Sequence, residues 1–119
     1  MPASPFHKER VIEQLRREIG MVIQNDIRDP RIPSVVTISE IRLSDDQHNA
    51  TILISVFGEE ETKQPAVDAL NHAAPFIQKV VAGHVKLKNF PRFLFKIDTG
   101  VVYGQRIEQL LKEVKDDLA

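Results

Sequence analysis

The sequence predicts an α+β fold, a three-stranded sheet with helices packed on one face. Three observations predict it. Apolar residues recur at three- and four-residue spacings over 12–23, 67–81 and 107–118, and they alternate over 36–43, 50–56 and 93–97. No repeat, low-complexity segment or long linker divides the 119 residues, so a single domain is expected, its core spanning about residues 6–113.

Ser4-Pro5 reads as the start of the first helix, Ser as N-cap and Pro where a missing N–H costs nothing. Ile12, Leu15, Ile19, Val22 and Ile23 then form one apolar stripe, while Arg10, Gln14, Arg17 and Gln24 fall on the opposite face. Glu13 and Arg17 are spaced to pair across a turn.

The helix meets the corner Ile-Arg-Asp-Pro-Arg-Ile-Pro at residues 27–33. Pro30 disfavours helical geometry at Asp29, and Asp29 is placed to accept a hydrogen bond from the N–H of Arg31, closing a turn. Arg28 and Arg31 are thereby set on a rigid corner. A guanidinium held there suits bidentate contact with phosphate, and it equally suits pairing with a nearby carboxylate as turn glue.

Beyond the corner the period changes to two. Val36 and Ile38 have one parity and Ile41 and Leu43 the other, so a straight strand cannot bury all four; a β-bulge near Ser39-Glu40 reconciles them. A polar tip, Ser44 to Asn49, returns the chain into Ala50, Ile52, Ile54 and Val56, completing a hairpin. Gly58 and three glutamates lead to a helix near 63–74. Pro75 is expected to break or bend it, standing in the first turn of a second helix that meets it at a corner and runs to about residue 85. After Asn89-Phe90-Pro91, Phe93, Phe95 and Ile97 alternate as a third strand, and a last helix carries Ile107, Leu110, Leu111, Val114 and Leu118, with Asp98 or Thr99 as cap. The expected order is α-β-β-α-α-β-α.

Composition narrows the function. At 42% hydrophobic and 28% charged the chain reads as soluble and globular, with no apolar run near the roughly 20 residues that cross a bilayer. It has no cysteine, and residues 1–10 lack the apolar core of a secretory signal, so a cytoplasmic location is expected and the sequon Asn49-Ala50-Thr51 is accidental. The net charge of −1 conceals a segregation: residues 76–106 hold six basic groups and one acidic. A basic window in a near-neutral chain suits an anionic partner in that region, or is a solvated face.

Catalysis finds little to use. The histidines, His7, His48, His72 and His84, are scattered, and no phosphate loop, nucleophile–base pair or metal-ligand spacing occurs. Asp45, Asp46 and His48 sit where turn chemistry alone calls for them. A binding protein without metal or cofactor is expected.

The order α-β-β-α-α-β resembles the type II KH fold, an RNA-binding module whose GxxG loop between two helices clamps the backbone. Here that junction reads Ala73-Ala74-Pro75, a helix–kink–helix with no GxxG. The stretches RVIEQLRREI, IRDPRIPSVVTISEIRLSDD, ATILISVF, ALNHAAPFIQKVV, FPRFLFKID and RIEQLL are similar to the ribosome-binding factor A family, from about residue 8 to about residue 113. The most specific part is Asp29-Pro30-Arg31 together with Ser44-Asp45-Asp46. The resemblance implies a non-enzymatic, monomeric assembly factor with a KH-like fold, which binds the free small ribosomal subunit, supports late maturation of its 16S ribosomal RNA and matters for growth in the cold. Two positions depart from the family pattern: Pro75 stands where Gly is usual and Gln78 where Arg is common.

The candidate RNA contacts are Arg10, Arg17, Arg28, Arg31, Lys79, Lys86, Lys88, Arg92 and Lys96, with Asp29, Pro30, Ala73 and Pro75 shaping the turn and the junction. Phe90 is placed to stack on a base or to join the core. The alternative reading is a protein-interaction module that reaches the ribosome through a protein contact.

Overall fold

The structure, a computed structural model, describes residues 7–99. Its elements are α1 (His7–Asn25), β1 (Val36–Leu43), β2 (Asn49–Val56), α2 (Glu60–Ala82) and β3 (Arg92–Ile97). The expected cap at Ser4-Pro5 and the expected final helix lie outside the described residues.

The stripe of α1 is buried as Val11, Leu15, Ile19, Val22 and Ile23. Ile12 is only half-buried, and Val11, one position earlier, takes the inward place. Leu15 and Ile19 are fully buried, worth roughly 1.5–3 kcal/mol each. Glu13 pairs with Arg16, at 3.8 Å, rather than with Arg17. The missed arginine is turned inward: Arg16 Nη1 donates to the carbonyl of Ile38 at 3.1 Å, tying α1 to β1.

β1 and β2 form the expected antiparallel hairpin. Its register slips between Ile38 and Glu40, so Ser39 is the extra residue of a bulge and both halves of the strand face the core. Ser39 Oγ donates to the carbonyl of Leu53 at 3.1 Å. The tip is built by its own side chains. Ser44 Oγ donates to Asp46 Oδ1 at 2.6 Å, the same oxygen accepts from the His48 N–H at 3.0 Å, and Gln47 takes a positive φ of 60°. These bonds hold the Asp46 carboxyl below its usual range, the Ser44 hydroxyl first and the His48 amide second. Among the described residues no group of three His, Asp or Glu could hold a metal ion.

β3 lies beside β2 and parallel to it, giving the order β1-β2-β3, with α2 as the crossover between the parallel strands. Gly58, at φ 143°, makes the turn out of β2, a conformation that L side chains rarely adopt.

Helical conformation passes through Pro75 without a break, so the two helices expected around a corner are one. The reason is the stripe: Ala66, Val67, Leu70, Ala74, Ile77 and Val81 stay on one buried face from end to end, and packing on the sheet outweighs one absent hydrogen bond. α1 packs on β1 and on α2, and α2 packs on β3 and β2. Both helices therefore share one face of the sheet. The other face carries the exposed alternate residues of all three strands.

Candidate nucleic-acid interface

All nine candidate cations are solvent-exposed. They sit on several elements. Arg10 and Arg17 ride on α1 and Arg28 and Arg31 on the corner between α1 and β1. Lys79 is in the last turn of α2, Lys86 and Lys88 follow it, and Arg92 and Lys96 belong to β3 at one edge of the sheet.

The corner forms as the sequence predicts. The Arg31 N–H donates to Asp29 Oδ1 at 2.9 Å, and the Ile32 N–H to the Asp29 carbonyl at 2.9 Å. The Arg31 side chain then returns to the same carboxylate, Nε to Oδ1 at 3.1 Å and Nη2 to Oδ2 at 2.8 Å. That fork lowers the Asp29 pKa to about 2, the side-chain bond contributing most and the backbone bond next. The carboxylate pairing read as turn glue is therefore formed, and the Arg31 side chain stays exposed. Arg28 remains exposed and has no ion-pair partner among the described residues.

The basic window behaves differently. Among the described residues, Lys79, Lys86, Lys88, Arg92 and Lys96 have no carboxylate within ion-pair distance. Lys86 and Lys88 flank the half-buried Leu87, and Phe90 joins the core, its ring centroid 5.5 Å from that of Phe93. On β3 the alternation is clean: Phe93 and Phe95 point into the core, whereas Arg92, Leu94 and Lys96 share the outer face. In register beside them on β2 are Asn49, Thr51 and Leu53, and beyond those, on β1, Arg42 and Glu40. Arg42 is held by Glu40 through two bonds of 3.1 Å.

The free edge of β3 is closed by two amides of α2. Asn71 Oδ1 accepts from the Phe95 N–H at 2.8 Å and its Nδ2 donates to the Phe95 carbonyl at 2.9 Å. One turn past Pro75, Gln78 Oε1 accepts from the Phe93 N–H at 3.0 Å. These two residues are what sequence reasoning missed. The available signal was a pair of amides seven residues apart on a helix stripe that is otherwise Ala, Leu, Ile and Val. Gln78, noted as a departure from the family pattern, thus has a structural task of its own. Between these groups lies a cleft of about 570 Å³, bounded by Asn71, Ala74, Pro75 and Gln78 of α2 and by the starts of β2 and β3.

The sequence profile of ribosome-binding factor A matches residues 7–111. The chain belongs to the ribosome-binding factor A family. A ribosome-binding factor A of Clostridium botulinum strain Hall is 32% identical over 112 residues, covering 94% of this chain and 93% of its own. The crystal structure of the Thermus thermophilus ribosome-binding factor A superposes with a TM-score of 0.67 at 30% identity, covering 76% of this chain and 93% of that one. A homology model of the Thermus thermophilus factor, fitted into the cryo-EM map of its complex with the 30S subunit, gives a TM-score of 0.59 at 30% identity, covering 71% of this chain and 88% of that one. The ribosome-binding factor A structures agree with the expected KH-like α+β fold, and no described helix here is long and apolar enough to cross a membrane.

Proposed function

We propose that this chain is a ribosome assembly factor that binds the free small ribosomal subunit through its RNA and supports late maturation of the 16S ribosomal RNA, a role most needed in the cold. The observation that carries the reading is the set of exposed cations from Lys79 to Lys96, none paired with a carboxylate among the described residues. An unpaired surface cation in a near-neutral protein has its full charge to offer to a phosphate, and each such contact releases counterions. Family membership supports the same reading, as does the Thermus thermophilus relative fitted into a 30S map. Cytoplasmic action as a monomer, holding RNA rather than making or breaking bonds, belongs to the proposal.

The test is co-sedimentation with free small subunits and with complete ribosomes across a salt series. Expected is preference for the free subunit and a fall of affinity with salt, by a log–log slope near one per phosphate contact. Binding that ignores salt favours a protein contact instead. Deletion of the gene is expected to slow growth at low temperature and to accumulate precursor 16S RNA.

A further inference from the structure

The sheet has one face without a helix among the described residues, and that face is asymmetric in charge. At the β1 side Arg42 is neutralised by Glu40. At the β3 side Arg92 and Lys96 have no carboxylate within ion-pair distance among the described residues, and they flank Leu94, which is 46% exposed. Four residues of extended strand separate the two cations by about 13 Å, too far to share one phosphate and beyond the screening length of roughly 8–10 Å. Each is therefore available to a separate phosphate without repelling the other.

What else the face offers agrees with a nucleic-acid backbone. Thr51 and Ser55 present hydroxyls and Asn49 an amide, groups that meet phosphate oxygens and 2′-hydroxyls. Within the three strands, the outer face has no aromatic residue: Phe93 and Phe95, the aromatics of β3, are both buried. A sheet that reads single-stranded RNA does so by stacking bases on aromatics, and a protein-binding patch is likewise rich in them. The edge of β3, where backbone groups would meet a base edge or a partner's strand, is already taken at Phe93 and Phe95 by Gln78 and Asn71.

Resting on the function proposed above, we infer that the RNA lies across the outer face of β3, held by its phosphates at Arg92 and Lys96, and that no base is read at the β3 edge. The contact follows backbone shape and tolerates changes of sequence.

The experiment compares the full chain with its Arg92→Ala/Lys96→Ala double variant, binding free small subunits over a salt series, with thermal melts alongside. Neither side chain makes a hydrogen bond or ion pair among the described residues, so an unchanged melt is expected. The inference requires weaker binding at every salt concentration and a salt slope reduced by about two. An unchanged slope overturns the assignment of this face, while salt-dependent binding by the unaltered chain keeps the function intact. If the unaltered chain does not bind subunits at all, the function itself fails. In a second arm, base pairs at the footprinted positions are inverted with pairing kept. Affinity within about twofold is expected, and a tenfold loss overturns the claim that no base is read.

Discussion

Asn71 holds Phe95 by both of its backbone polar groups, accepting from the N–H at 2.8 Å and donating to the carbonyl at 2.9 Å, as a neighbouring strand would. Phe95 is among the most buried residues of the core, so both groups need partners. Asn71→Ala is expected to cost about 2–6 kcal/mol, one to three for each of the two polar groups left without a partner. Gln78→Ala removes a single bond and is expected to cost about half as much. Denaturant unfolding of the two variants checks the order; equal losses would show that water replaces the amide at residue 71.

Pro75 supplies the second prediction. Inside α2 it has no N–H for the carbonyl of Asn71, and alanine restores that bond. Pro75→Ala is therefore expected to raise stability, by up to about 3 kcal/mol, the interior difference between the two residues. A melt below that of the unaltered protein would show that the surrounding chain has adapted to the ring.

The corner makes a prediction in pH. Asp29, with its folded pKa lowered from 3.8 to about 2, contributes stability that is present above pH 4 and is lost as pH falls through 2. Arg31→Ala removes the largest cause of the shift and keeps the backbone bond. The Asp29 titration, followed by carboxyl-carbon NMR, is expected to move part of the way back toward 3.8, and subunit binding to change little. A large loss of binding would restore Arg31 to the RNA contact.

Glu40 gives a gain-of-function test. It neutralises Arg42 on the outer face, two strands from Lys96. Glu40→Gln frees that guanidinium, so subunit binding is expected to tighten and its salt slope to steepen by up to about one. Unaltered binding would confine the RNA to the β3 side.

How far these features could be read in advance depended on how local their causes are. The bulge at Ser39 was legible because parity alone forces it: Ile38 and Ile41 cannot both face inward on a straight strand. The Asp29 turn was legible because its bond spans two residues. The fate of Pro75 was not, since the penalty for a proline is local whereas the stripe from Ala66 to Val81 that outweighs it acts through packing on the sheet. Nor was the role of Asn71 or Gln78. Their partners lie 24 and 15 residues away, on a strand whose parallel direction no alternation pattern reveals. The exposed cations were legible as a basic window, but sorting Arg31 from Arg92 needed their neighbours.

The parallel placement of β3 has a kinetic consequence. The β1–β2 hairpin closes through a tip of five residues, Ser44 to His48, and has the means to form early. β3 finds β2 only once the whole of α2 has been laid down between them, a long and entropically slow closure. Arg92 and Lys96 therefore join the sheet with the last of its three described strands. Hydrogen exchange at the Phe93 and Phe95 amides reports any release of β3 from the sheet.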